Sequence, residues 1–158
     1  MLKSVQDKPK LVLLMKIISH TAVMASMLGY AFLLVLAYME SLRAAVGAFV
    51  FTLVPFVIVS LMRKFINAPR PYEVYDFFAA PPKSKSGLSF PSRHAFSAFV
   101  IGTALLYHSL WAGIVVLALG TALAVCRVLL GIHFIRDVIC GSAIGVISAV
   151  LGNLIFNL

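Results

Sequence analysis

The sequence predicts an all-α fold, a polytopic transmembrane helix bundle, and three observations carry that prediction. Of 158 residues, 62% are hydrophobic and 11% charged, with a mean hydropathy of +1.06; this describes an integral membrane protein rather than a soluble core. The apolar residues fall in long runs, each near the roughly 20 residues a helix needs to cross a bilayer. The ionisable residues gather at the ends of those runs, away from helix centres where an Arg or Asp is disfavoured by roughly 2.5 to 3.5 kcal/mol. The expectation is about five spans plus an N-terminal interfacial helix, six helices in total, forming one domain over residues 1–158.

The chain opens on a basic segment with Lys3, Lys8 and Lys10, followed by an apolar stretch from Leu11 to Met39. A signal peptide would have a shorter apolar region ending in a small-residue cleavage site, so the stretch reads as structure. Lys16 and His20 place its first turns in the interface and the span itself from about Thr21 to Met39. Glu40, Ser41 and Arg43 make a tight turn. The second span runs from Leu42 to Met62, with Pro55 a kink that a bundle tolerates. Residues 63–89 form the one extended polar loop, in which Arg70 is locked between Pro69 and Pro71 in an extended backbone. Lys64, Lys83 and Lys85 there also fit a positively charged membrane flank.

Phe90-Pro91-Ser92-Arg93-His94 opens the third span, which continues to Tyr107, with Ser92 as the cap. Turns around Ser109 to Gly113 lead to a fourth span ending near Leu130, and a fifth runs from Asp137 to Phe156. His20, His108 and Trp111 read as interface anchors. Cys126 and Cys140 supply neither a disulfide framework nor metal-ligand spacing and read as packing residues.

Charge and spacing together indicate chemistry. Thirteen Lys and Arg against five acids give a net charge of +8, which in so apolar a chain points to phosphate-bearing lipids before nucleic acid. Between Cys126 and Cys140, Arg127, His133 and Asp137 stand between two apolar runs. If the residues after Gly131 are helical, His133 and Asp137 lie one turn apart, and the carboxylate takes the imidazole N–H, fixing a tautomer and supporting a positive ring. Gly131 offers a stop, so that Arg127 closes one helix and His133 opens the next. A second helix start, at Ser92, presents free N–H groups beside His94. A cap at Ser92 and a satisfied interface pair at His133 and Asp137 are the purely structural readings. Under five spans, however, Arg63, Ser92, Arg127 and His133 all fall on one side, and an oxyanion-binding site results.

These residues resemble the signatures of the type-2 phosphatidic acid phosphatases, membrane lipid phosphatases that share a phosphate site with vanadium-dependent haloperoxidases. The likeness covers residues 63–137. Arg63 with Arg70-Pro71 resembles a Lys, six residues, then Arg-Pro; Pro91-Ser92-Arg93-His94 resembles Pro-Ser-Gly-His; Cys126-Arg127 with His133 and Asp137 resembles Ser-Arg, five residues, His, three residues, Asp. Arg63 or Lys64 fills the lysine position, Arg93 stands for glycine and Cys126 for serine.

The resemblance implies a metal-independent, cofactor-free hydrolase acting on a lipid phosphate in the bilayer. His133, oriented by Asp137, would attack phosphorus; His94 would protonate the leaving oxygen and then activate water; Arg63 or Lys64, Arg70, Ser92, Arg93 and Arg127 would bind the phosphate. Undecaprenyl diphosphate and phosphatidylglycerol phosphate are the leading substrates. A catalytically silent lipid-binding or assembly protein would have lost His94, His133 or Asp137, and a transporter would carry its charges near the midplane of paired, broken helices. Apart from Arg43, the remaining cations collect on the N-terminal side under five spans, which by the positive-inside rule places the site in the cytoplasm. The resemblance to bacterial enzymes that often act on the outer face points the other way, and a separate crossing by Leu11 to His20 would add a sixth span and put the N-terminus opposite the site.

Overall fold

The computed structural model describes residues 7–75 and 86–156. Lys3, Pro81, Pro82, Lys83 and Lys85 lie outside the described residues. Among the described residues four long helices and a shorter one run antiparallel: α1 (Pro9–Glu40), α2 (Leu42–Ile66), then, after a four-residue turn of helix α3 (Pro71–Val74), the shorter α4 (Arg93–His108), α5 (Leu110–Leu129) and α6 (Ile135–Phe156). Four stretches are long and apolar enough to cross a membrane, and the protein is a multi-pass membrane protein.

The separate interfacial helix expected at the N-terminus does not exist. Residues 11–20 are the first turns of α1, because nothing between Leu11 and Thr21 breaks a helix and propagation is cheap once a turn has formed. Met15 and Ser19 are buried on one face while Lys16 and His20 are exposed on the other. At 32 residues, α1 is about 48 Å long, well beyond the roughly 30 Å hydrocarbon core. The third expected span is present at the expected residues as the short, central helix of the bundle. α4 has 16 residues, and Phe96, Val100 and Leu105 on it are fully buried among α1, α2, α5 and α6.

Local chemistry sets the helix ends. Ser41 Oγ accepts the Ala44 N–H at 3.0 Å to start α2, which stops where Asn67 turns left-handed at φ 41°. Ser92 Oγ accepts the Ala95 N–H at the start of α4, as expected. Gly131, at φ 68°, ends the turn after α5, as its position suggested. At the far end of the bundle His108 Nδ1 lies 2.7 Å from Glu40 Oε1, and Arg43 donates to the Ile155 carbonyl at 3.4 Å. The opposite end therefore gathers the N-terminal turns of α1 with Arg63, His94, Arg127 and Asp137.

α4 and α6 meet backbone to backbone through Gly141 and Gly145, one turn apart, the small-residue spacing that lets membrane helices approach closely. A Cβ at Gly141 would strike the Ser92 carbonyl, and one at Gly145 would lie 2.6 Å from the Phe96 carbonyl. Gly145→Ala is expected to lower the melting temperature in detergent by an amount matching about 1 to 3 kcal/mol of overpacking. Gly29→Ala, where a Cβ meets only side-chain tips at 3.2 Å or more, serves as the mild control; equal melting of both variants would refute this packing. Single cysteines at Asp7 and Ser86, in a background lacking Cys126 and Cys140, should label together with an impermeant maleimide in intact cells, and Ser41→Cys oppositely.

Candidate active site

The site is assembled at the end of the bundle where α2, α5 and the starts of α4 and α6 meet. Arg63, in the last turn of α2, is 6% exposed. Its Nη1 donates to the carbonyls of Ser89 and Pro91 at 3.2 and 2.6 Å. Lys64, rotated about 100° around the helix, is exposed; of the two cations at the lysine position, Arg63 is the one brought to the cluster.

Arg70 is clamped. Its Nε donates to the Gly87 carbonyl at 2.9 Å, and its backbone N–H goes to Glu73 Oε2 at 2.7 Å. Glu73 Oε1 also accepts the Gly87 N–H at 2.9 Å, while Ser89 N–H reaches the Ala68 carbonyl at 2.9 Å. Burial pushes the Glu73 carboxyl up, but hydrogen bonds from Arg70, Ser86 and Gly87 outweigh it and hold the group below its ordinary range. With Nε committed to the loop, the outer guanidinium nitrogens remain to meet a ligand. Glu73 was missed as a positioning residue, although an acid three residues after the N-cap of a proline-started turn is the capping-box spacing.

His133 lies in the loop before α6, not on the helix as expected, since Gly131 delays the restart to Ile135. Its Nδ1 is 3.6 Å from Asp137 Oδ2 and 3.3 Å from Ser89 Oγ, and that hydroxyl donates to Asp137 Oδ2. With its one proton given to the carboxylate, the serine oxygen accepts from the ring, which assigns the proton to Nδ1 and leaves the Nε2 lone pair free. Asp137 Oδ2 also accepts the Phe134 N–H at 2.9 Å, closing the first turn of α6. The expected positive ring is not what the surroundings favour. Burial and the nearby Arg63 and Arg70 outweigh Asp137 and hold His133 below the ordinary histidine range, so the imidazole is neutral, the form that can attack.

Ser92 is fully buried; its N–H donates to the Asp137 carbonyl at 2.9 Å and its hydroxyl serves as the cap, so the unpaired amides of this helix start belong to Arg93 and His94. His94, half-buried, is within electrostatic reach of Arg127, His133, Arg93 and Arg63. Arg127 accepts the His133 N–H on its carbonyl at 3.2 Å, and its buried Nε has no partner. Arg93 is exposed, with its guanidinium carbon 5.8 Å from the centre of the Phe56 ring. Among the described residues no group of three His, Cys, Asp or Glu stands close enough to hold a metal ion. Two cavities meet at His94: an apolar one of about 420 Å³, lined by Met27, Tyr30, Phe56 and Ile101 with Arg93 and His94 at one end, and a smaller one of about 280 Å³ lined by Lys16, His20, His94 and Arg127.

Ser89 had no signal in the sequence, because only the fold carries it across 44 residues to His133. Ser89→Ala removes one hydrogen bond to a charged, buried carboxylate, so kcat is expected to fall by about ten- to hundredfold with KM little changed. Unaltered kcat would remove Ser89 from the positioning set.

Searching curated proteins returns no match. Among solved structures, the chain superposes on Aquifex aeolicus LpxE with a TM-score of 0.70 at 23% identity, covering 96% of this chain and 91% of that one. It superposes on a transmembrane PAP2 type phosphatidylglycerolphosphate phosphatase from Bacillus subtilis with a TM-score of 0.66 at 22% identity, covering 96% and 82%. At these identities the likeness is one of fold. The profile of the PAP2 superfamily matches residues 44–157, which takes in every residue of the cluster from Arg63 to Asp137, and the chain belongs to that superfamily.

Proposed function

We propose that the protein is a membrane lipid phosphatase that hydrolyses a phosphate monoester or diphosphate through a phosphohistidine. The observation that carries this is the orientation of His133: Nδ1 is held by Ser89 and Asp137, so Nε2 is the free nitrogen, with Arg63 and Arg70 within electrostatic reach of the ring. In the first step Nε2 attacks phosphorus, an N–P bond forms, the P–O bond to the lipid breaks, and the departing oxygen takes a proton from His94. In the second, His94 accepts a proton from water, the hydroxide attacks phosphorus, and the N–P bond breaks to release inorganic phosphate and regenerate His133.

Arg63, Arg70, Arg127 and the Arg93 and His94 amides balance the charge of the five-coordinate phosphorus. A bound phosphate dianion in turn favours the protonated imidazole that His94 needs for the first step. The apolar cavity reached from His94 takes part of the lipid chain. Undecaprenyl diphosphate and phosphatidylglycerol phosphate remain the leading substrates, the second being the one for which the structurally similar Bacillus subtilis phosphatase is named.

A lipid panel in detergent tests the assignment. The wild type should release phosphate, retain activity in EDTA and be inhibited by vanadate, and His133→Ala should be inactive yet folded. Quenched wild-type reactions with labelled lipid should carry acid-labile phosphate on the protein. Turnover by His133→Ala, or loss in EDTA restored by magnesium, would sink the mechanism.

The acid limb of kcat/KM should lie below the ordinary histidine range, since His133 is held low and only its neutral form attacks. Because the Arg70 charge contributes to that lowering, Arg70→Gln should move the limb to higher pH, along with raising KM. A limb that moves down or stays fixed would mean another group controls it.

A further inference from the structure

The smaller cavity shares His94 and Arg127 with the reaction centre, but the two-step reaction makes no use of Lys16, Ser19 and His20, which α1 adds to its lining; α1 lies outside residues 44–157 matched by the superfamily profile. Its position follows from helix lengths. α1 and α4 end together at the far side, where Glu40 meets His108, but α1 is 32 residues long and α4 only 16, so α1 continues past the start of α4 by about 24 Å. Lys16 and His20, one turn apart, stand on this overhang and face the cavity together with Arg127 and His94. Neither Lys16 nor His20 has a hydrogen-bond or ion-pair partner among the described residues, and Arg127 Nε, buried, has none either. Three basic side chains and a histidine shared with the reaction centre thus surround one space of about 280 Å³ that holds no carboxylate.

His94 lies between this space and the apolar cavity. In the reaction proposed above, the group that His94 protonates is the leaving oxygen, so whatever is bonded to that oxygen occupies the ground on the two sides of His94. A hydrocarbon chain fits the apolar side. The basic side calls for an anion on the same leaving group. We infer that Lys16 and His20 form a subsite for a second phosphate, so that the preferred lipid carries, besides the phosphate removed, an anionic phosphate within a few bonds of the broken P–O bond. A lipid diphosphate, whose leaving group is the lipid monophosphate, and a glycerophospholipid with a terminal phosphate, whose leaving group holds a phosphodiester, both satisfy this. A lipid with one phosphate and a neutral leaving group does not. The inference rests on the phosphatase reading and assigns its substrate class.

The test compares matched pairs, a polyprenyl diphosphate with the monophosphate of the same chain and phosphatidylglycerol phosphate with phosphatidic acid, on wild type and on Lys16→Gln/His20→Gln. For both two-phosphate lipids the double variant should raise KM by about tenfold or more, the loss of charge-assisted contacts, while KM for both one-phosphate lipids stays within about twofold. A change confined to one pair identifies which of the two leaving groups the subsite takes. Equal changes on one- and two-phosphate lipids, or none, overturn the subsite while leaving the phosphatase assignment intact. A readout without turnover separates the two readings: in the His133→Ala background, a methylene-bridged diphosphonate lipid should bind more tightly than the corresponding monophosphonate, and adding the Lys16→Gln/His20→Gln pair should abolish the difference. Persistence of the difference would overturn the subsite even if catalysis proceeds by another route.

Discussion

The tie between the first turns of α4 and α6 is the constraint on which the site depends. Asp137 holds both sides of it: its carbonyl accepts the Ser92 N–H, and its side chain takes the Ser89 hydroxyl and the Phe134 N–H. One residue thereby closes α6, anchors the strand of loop before α4 and orients His133. The contact is possible only because Gly141, one turn further on, lets the Ser92 carbonyl lie against the helix backbone. In a bilayer the hydrophobic effect does not drive helices together, so this close backbone approach and its buried hydrogen bonds carry more of the specificity than they would in water.

Around that tie the chain arranges positive charge that it does not neutralise. Among the described residues Asp137 is the one acid in the centre, and it is committed to Ser89, His133 and Phe134. Glu73 is committed to the Arg70 clamp. Arg63 lies within electrostatic reach of Arg70 and Arg93, and Arg127 within reach of Arg70, with few counter-charges among the described residues; the fold sustains this repulsion by tethering, Arg63 to two carbonyls and Arg70 to Gly87. The carbonyl contacts orient guanidinium groups without cancelling their charge. An anion with several oxygens is what such an arrangement lacks, and burial, reinforced by the same positive charges, holds His133 below the ordinary histidine range.

The helical architecture was legible because hydrophobic run length is nearly the whole of the membrane signal: the ends of α2, α5 and α6 fall within a few residues of the expected positions. The joined α1 was not, since a lysine and a histidine in an apolar run mark depth in the bilayer and do not break a helix. The convergence of Arg63, Arg70, His94, Arg127, His133 and Asp137 followed from alternating span direction alone. What the sequence withheld was long-range and specific. Ser89 is indistinguishable from any loop serine until the fold sets it beside His133, and the balance that leaves His133 neutral depends on Arg63 and Arg70, which are 70 and 63 residues away. The choice between Arg63 and Lys64 likewise needed the actual turn of the helix.

Unequal helix lengths complete the design. With far ends level, the short α4 leaves its charged start sunk about 24 Å below the tip of α1, so the cluster around His94 lies at the floor of a recess with one tall wall. A water-soluble phosphate would meet the basic upper part of that wall, whereas a lipid must bring its phosphate to His94 with its chain directed into the apolar cavity at the same depth. Under the proposed reaction such a recess would sort substrates along its height: hydrocarbon toward the bundle interior, the reacting phosphate at the level of His94, and further charge beside the overhang of α1. The extra length of α1, which a bundle of this size does not need in order to span, is what carries Lys16 and His20 to the cavity beside His94 and Arg127.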